Sequence, residues 1–336
     1  MLLIVHCIAD LDHKACSLVA GGLRLSTHKT YSSAQLQFLR FCSTYSLVPI
    51  PASEQLLLWF IAYSRTPPRA LKAESLKVYL SAINSLHTLM GLPPAPTSAP
   101  RVRLALKCIS ESGPGPSQCS PITFLMLSHI FASLPQSLDH LAWKAILALG
   151  FFAGLRGAEY SLVPQTEGGS GSGPRIADAH FASAPSGPFL LFTVVRSKTR
   201  PHGFTVPVGC SSSPVCAVCC LWSYLSARQA SSPFTQGDPL FLFLSGSQLS
   251  KLALNKFIKQ AVSSLGLDPR RFSSHSLRAG VATTAAALSF QDHEVRLLGG
   301  WASDAYHSYI RQSQSAQIGF ARRLAAGSPV PGASPK

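Results

Sequence analysis

The chain has 336 residues, 46% of them hydrophobic, and a formal net charge of +15 from 29 basic and 14 acidic side chains. That length suits two ordinary domains, and that apolar content can bury real cores, which excludes a disordered chain. A positive surplus of this size points to a polyanionic partner, nucleic acid first, beside the plainer reading of a solvated basic surface.

No long basic amphipathic helix is visible, so a membrane surface is the weaker partner. The longest apolar run, Ala145 to Leu155, is about half a membrane span and reads as a buried helix. Met1 to Ala9 is apolar but has no basic leader, and Asp10 and Asp12 follow at once, a poor secretory signal. An intracellular protein is expected, nuclear if the source is eukaryotic. The nine cysteines lack the even, regular spacing of a disulfide scaffold. Cys216-x-x-Cys219, with Cys210 and Cys220 nearby, has no second CxxC or HxxxH to pair with, and the segment continues as an apolar helix. Reduced structural thiols are therefore expected, with no metal and no cofactor.

Taken in order, residues 1–26 show no period and read as a tail. From Thr27 the pattern is helical: Tyr31, Ala34, Phe38, Phe41, Cys42 and Tyr45 fall at three- and four-residue steps, until Pro49 and Pro51 break it. Further helices are expected over Glu54–Tyr63, Ala73–Met90 and Val102–Ser110. The third carries Leu76, Tyr79, Ile83, Leu86 and Met90 on one stripe, with Gly91 as its stop. Four helices over residues 27–112 make an N-terminal bundle. Its basic residues, Lys29 and Arg40 among them, read equally as a solvated face or as phosphate contacts.

Residues 113–119 open with Gly-Pro-Gly-Pro-Ser and read as a linker. The second domain is placed at 120–327, with a 328–336 tail. Ser120 and Pro121 look like the cap and first turn of a helix, and a buried helix follows over Asp139–Phe152. Arg156, just beyond it, reads on its own as a surface or capping residue. Gly187 to Val195 and Phe204 to Val208 read as a strand and its return, with Arg196, Lys198, Arg200 and His202 at the tip between them. Helices are expected over Val215–Arg228 and Lys251–Leu265, the latter capped by Ser250. Leu240 to Leu244 reads as a buried strand or extended segment.

The chemistry concentrates in residues 273–311. Ser273 or Ser274 can cap a helix on which His275 and Arg278, three apart, share a face. A planar guanidinium beside an imidazole suits a phosphate oxygen. A tyrosine further along could attack the phosphorus so held. Together these residues outline metal-free strand cleavage.

The same residues resemble the signature of the tyrosine recombinase (phage integrase) family. The matching words are His275-Ser-Leu-Arg278, Leu298-Gly-Gly before Trp301, and Tyr309-Ile-Arg. Gly154-Leu-Arg156, with Glu159 three residues on, matches the family's first arginine motif, and Arg196-Ser-Lys198-Thr matches its hairpin lysine. The resemblance implies a mainly helical fold: an N-terminal core-binding bundle, then a mixed α+β catalytic domain with a small antiparallel sheet. It implies Arg156 and Arg278 as phosphate clamps, Glu159 as the partner that orients Arg156, and His275 and Trp301 around the same phosphate. Lys198 would be the general acid and Tyr309 the nucleophile of a 3′-phosphotyrosyl intermediate, with Arg196, Arg200 and His202 adding DNA contacts. Tyr306, one turn earlier, is the competing nucleophile, with core packing as its plainer role. The implied partners are double-stranded DNA and further copies of the chain, as a tetramer on two sites. The wording from Trp301 to Arg311 resembles recombinases of eukaryotic mobile elements, the DIRS and Ngaro retrotransposons. The alternative function is a DNA-binding protein derived from such an element that no longer cuts.

Overall fold

The computed structural model describes residues 8–68, 70–112, 119–163, 171–198, 200, 202–301, 306, 307 and 310. The chain divides into two compact units, residues 1–117 and 118–336. The architecture is mainly α-helical with a small antiparallel sheet in the second unit, as the sequence implies.

The first unit comprises α1 (Ile8–Gly21), α2 (Leu25–Thr44), α3 (Glu54–Arg65), α4 (Ala73–Leu89) and α5 (Pro100–Ser112). The α2 periodicity becomes a buried face: Ala34, Phe38, Phe41 and Cys42 are covered, and Phe38 meets Phe60 of α3 edge to face at 5.2 Å. Ser53 caps α3 by accepting from the Leu56 amide at 3.2 Å. Two expectations change here. The segment expected as a tail contains α1, whose residues 10–19 are all exposed. Among the described side chains this helix buries none, and a stretch that buries no face needs no apolar stripe. On α4 the inward stripe is Leu76, Leu80, Ile83 and His87, while Met90 is exposed because the helix stops at Leu89. His87 is held in the interior by hydrogen bonds: Nε2 accepts from the Ala52 amide at 3.0 Å, and Nδ1 donates to the Pro93 carbonyl at 2.7 Å. One imidazole thereby ties the loops before α3 and after α4.

The second unit comprises α6 (Phe124–Ser133), α7 (Leu138–Phe152), β1 (Ala179–Ala184), β2 (Gly187–Val194), β3 (Phe204–Gly209), α8 (Ala217–Ser231), α9 (Lys251–Ser263), α10 (His275–Ala287) and α11 (Asp292–Gly299). The sheet runs β1-β2-β3, antiparallel throughout. Leu190, Phe192 and Val194 alternate along β2 and are all buried, opposite Val208, Val206 and Phe204 of β3. The apolar run in α7 is buried from Ala145 to Phe151, and Trp143 stacks on Phe257 of α9 at 4.0 Å. Among the described residues, no helix is long and apolar enough to cross a membrane.

One local reading is corrected, an open one is decided, and a strand is added. Ser120 and Pro121 do not start a helix; Thr123 caps α6, accepting from the Met126 amide at 3.3 Å. The preceding backbone pairs elsewhere: the Ser120 amide donates to Arg271 and the Ile122 amide to Ser276. Residues 240–244 are extended but stay outside the sheet. Their backbone partners are Pro174, Arg228 and the Tyr224 hydroxyl, which both donates to and accepts from Leu242 at 3.0 Å. Strand β1, in a stretch the sequence left unassigned, supplies the third strand.

Candidate active site

The site is built where the end of α7, the β2–β3 hairpin, the start of α10 and the end of α11 meet. Helix α7 ends at Phe152, and the chain turns through Gly154 to bring Arg156 to the head of a 3₁₀ turn, residues 157–159. Arg156 Nη1 donates to Glu159 Oε1 at 2.8 Å, and the Arg156 amide donates to Oε2 at 2.8 Å. Glu159 is buried, whereas the Arg156 side chain stays 26% exposed. A buried carboxylate thus holds a guanidinium whose outer face is open to a ligand.

The same carboxylate takes a third hydrogen bond. The buried Ser197 hydroxyl donates to Glu159 Oε1 at 2.7 Å. Ser197 immediately precedes Lys198, so the hairpin tip is anchored to the partner of Arg156. Arg196, Lys198, Arg200 and His202 are exposed on that tip. Arg200 stacks on Phe204 at 4.6 Å, and a side chain at position 300 would come within 3.9 Å of its guanidinium. The hairpin therefore also reaches the corner that precedes Trp301.

At the start of α10, the Ser273 hydroxyl accepts from the His275 amide at 3.2 Å. The cap oxygen is that of Ser273, not Ser274, whose amide donates instead to Asn255 of α9 at 2.8 Å. One turn on, Arg278 is buried; its Nη1 donates to the Gly154 carbonyl, two residues from Arg156. Its guanidinium carbon lies 4.1 Å from the centre of the Trp301 ring. His275 is exposed, yet its pKa is lowered from the usual imidazole value. Partial desolvation is the main cause, followed by the positive charges of Lys251, Arg278 and Arg156. The two arginines thus act on one imidazole although they lie far apart in sequence.

Trp301 follows α11, which closes on Gly300 in a left-handed conformation. The indole lies directly on Gly299, where an added Cβ would sit 1.8 Å from the ring. A Cβ on Gly154 would in turn fall 2.7 Å from the Gly299 Cα. Only two glycines permit this approach of backbones, and the approach carries the arginine turn to the tryptophan. Tyr306 is buried, 6.0 Å from Trp301 between ring centres, and belongs to the hydrophobic core. Burial, and then the Asp292 carboxylate, push its pKa up. Tyr309 lies outside the described residues.

The structure therefore gathers Arg156, Glu159, His275, Arg278 and Trp301, with the hairpin of Lys198 tied to them through Ser197. Ser197 and Lys251 were not singled out in the sequence. Ser197 lies inside the Arg-Ser-Lys-Thr word and was legible only as a neighbour of the lysine. Lys251, the first residue of α9, carries no local signal. In the first unit, Lys29 and Arg40 are exposed on α2, eleven residues or about three turns apart, and so share a face.

No family model matches the chain. It is 26% identical over 269 residues to the integrase/recombinase xerD homolog of Selenomonas ruminantium, across 78% of this chain and 74% of that protein. Among solved structures, it resembles the XerH site-specific recombinase bound to a palindromic difH substrate after cleavage. That match has a TM-score of 0.64 and 17% identity, across 93% of this chain and 83% of the other. The Tn1549 transposon integrase with transposon right end DNA gives a TM-score of 0.57 at 12% identity, across 92% and 99% of the two chains. A lambda integrase dimer on a COC′ core site gives 0.57 at 16% identity, across 90% and 95%. The fold is that of these recombinases and integrases.

Proposed function

We propose that the protein is a site-specific DNA recombinase or integrase that cuts and rejoins strands through a tyrosine ester, without ATP. The observation that carries the proposal is that buried Arg278 donates to the Gly154 carbonyl, two residues from Arg156, with Lys198 on a hairpin anchored to the Arg156–Glu159 pair. A phosphodiester resists attack because its oxygens are anionic and its transition state gathers more charge. Two guanidiniums fixed beside the non-bridging oxygens neutralise that charge, and losing one such donor typically costs about a hundredfold or more in rate.

In the proposed step the Tyr309 oxygen forms the new bond to phosphorus as the bond to the 5′-oxygen breaks. Lys198 delivers a proton to the departing 5′-oxygen. His275, whose neutral form is favoured by desolvation first and then by the neighbouring cations, accepts a hydrogen bond or the phenolic proton. The 3′-phosphotyrosyl ester stores the bond energy, so a 5′-hydroxyl can reverse the step. Tyr306 serves as packing beside Trp301, consistent with its burial. The wording from Trp301 to Arg311 supports a mobile-element recombinase of the DIRS or Ngaro kind. In this reading the protein acts in the nucleus, as a tetramer on two duplexes, with Lys29, Arg40, Arg196, Arg200 and His202 on phosphates.

The deciding experiment offers the full chain a nicked suicide duplex bearing the ends of its own element, which traps the ester. A covalent adduct is expected with the wild type and Tyr306→Phe, and none with Tyr309→Phe. Salt-sensitive binding without any adduct would replace this reading with a DNA-binding protein that does not cut.

A further inference from the structure

The second unit contains a cluster of chemistry that the strand-cleavage site does not use. Cys210 directly follows β3, Cys216 directly precedes α8, and Cys219 lies in the first turn of that helix. No second CxxC or histidine pair marks them in the sequence, but the turn between β3 and α8 folds Cys210 back onto the other two. The Sγ atoms of Cys210 and Cys219 are 3.5 Å apart, those of Cys210 and Cys216 are 3.6 Å apart, and all three lie within 4.8 Å of one another. Zinc held by thiolates at about 2.3 Å in a tetrahedron sets its sulfurs about 3.8 Å apart. Two of the three separations are already close to that spacing, and the third is within 4.8 Å. Disulfide sulfurs, at about 2.05 Å, are far closer, and all three cysteines are free thiols.

The surroundings are built for anionic sulfur. The Ser211 amide donates to Cys216 Sγ at 3.3 Å, a backbone hydrogen bond to a sulfur. The N-terminus of α8 adds its positive end to the same place. The frame is firm on both sides: the Cys210 amide donates to the Pro188 carbonyl of β2 at 2.9 Å, and the Cys216 amide donates to Ser213 at 2.9 Å. Plain burial explains a free cysteine that acts as a small hydrophobe, and it would explain Cys216. It does not explain Cys219, which is exposed, or Cys210, which is half-exposed, both turned to the same point. Cys220 stands apart, its Sγ 3.8 Å from the Pro214 carbonyl.

We propose that Cys210, Cys216 and Cys219 bind a soft, thiophilic divalent cation, zinc, as three thiolate ligands with solvent in the fourth position. The ion joins the end of the hairpin to the start of α8, whose Val218, Leu221 and Tyr224 are buried in the core. It is thus a structural staple at the base of the strands that carry Ser197 and Lys198. Softness of the donors selects zinc over magnesium or calcium.

The test uses the full chain purified under a metal-free reductant, with zinc measured by elemental analysis. About one zinc per chain is expected, retained in Cys108→Ser and lost in Cys219→Ser. Cys219 is exposed, so its serine variant should fold; circular dichroism checks that it does. Cobalt added to the zinc-stripped protein should give the intense thiolate charge-transfer absorption of a tetrahedral site, absent in Cys219→Ser and Cys210→Ser. Chelation should lower the melting temperature of the wild type, and zinc should restore it. The proposal fails if the reduced chain takes up no zinc from a micromolar excess, or if Cys219→Ser holds as much zinc as the wild type. It also fails if mass spectrometry of anaerobically purified protein shows two of the three sulfurs joined as a disulfide.

Discussion

The Ser197 hydroxyl donates to Glu159 2.7 Å away, on the carboxylate that also holds Arg156. A buried acid with three donors fixes two things at once: the direction of the first arginine and the base of the hairpin that presents Lys198. Breaking one of these hydrogen bonds should therefore disturb the other.

Ser197→Ala removes one hydrogen bond to a buried charged group and should cost about 1.5–3 kcal/mol in urea denaturation. Glu159→Ala should cost about as much or more, because Arg156 and the Ser197 hydroxyl both lose their acceptor. The double variant should cost less than the sum of the two, since both changes remove the same bond. A strictly additive cycle would mean that the hairpin is not anchored through this carboxylate. Strand cleavage should fall in both single variants, because Lys198 and Arg156 lose their fixed positions.

Gly299→Ala tests the approach of α11 to the arginine turn. The new methyl would occupy the indole of Trp301, so the ring must move. Overpacking of this kind costs about 1–3 kcal/mol, read as a lower melting temperature and an altered near-ultraviolet tryptophan signal. If the alanine variant melts like the wild type, the indole does not rest where the structure puts it.

The lowered pKa of His275 sets a pH dependence. In the window between its folded value and about 6.5, the unfolded chain binds more protons than the folded one. Stability therefore rises with pH through that window, the contribution of this group is flat above it, and the full penalty is present below the folded value. His275→Gln should remove this part of the acid sensitivity. Bound DNA places a phosphate anion beside the ring, so a titration followed by NMR should give a value below 6.5 in the free chain that moves upward with DNA. An upward-shifted value in the free chain would show that the surrounding cations do not act on it.

Lys29→Ala and Arg40→Ala test the shared basic face of α2. Each substitution that removes a bound phosphate should lower the slope of log affinity against log salt by about 0.9. The drop in affinity should be similar on any duplex sequence, because phosphate contacts carry no base information. Unchanged slopes would make these two side chains a solvated surface and nothing more.

The sequence by itself determined the residues of the candidate site and the periodic elements. His275 and Arg278 share a face because three residues make most of a helical turn, and Phe38 and Phe41 face inward for the same reason. The β2–β3 pairing was legible in alternating apolar residues around a basic tip. These are local properties, set by spacing along a few turns or a single hairpin. What the tertiary structure decided lies in contacts between segments distant in sequence. No local pattern says that Ser197 will meet Glu159, that Arg278 will be buried against Gly154 and Trp301, or that Lys251 will charge the surroundings of His275. Helix α1 escaped notice because its described residues 10–19 bury no stripe. The Ser120–Pro121 segment misled because its amides pair with Arg271 and Ser276 rather than within a helix. The same holds for the three thiols: their identity is written in the chain, but the 3.5 and 3.6 Å approaches of Cys210 to Cys219 and Cys216 exist only once β3 has been brought against α8. Hydrogen-bond partners and packing neighbours are chosen by the path of the whole backbone, and that path is a collective property of the core.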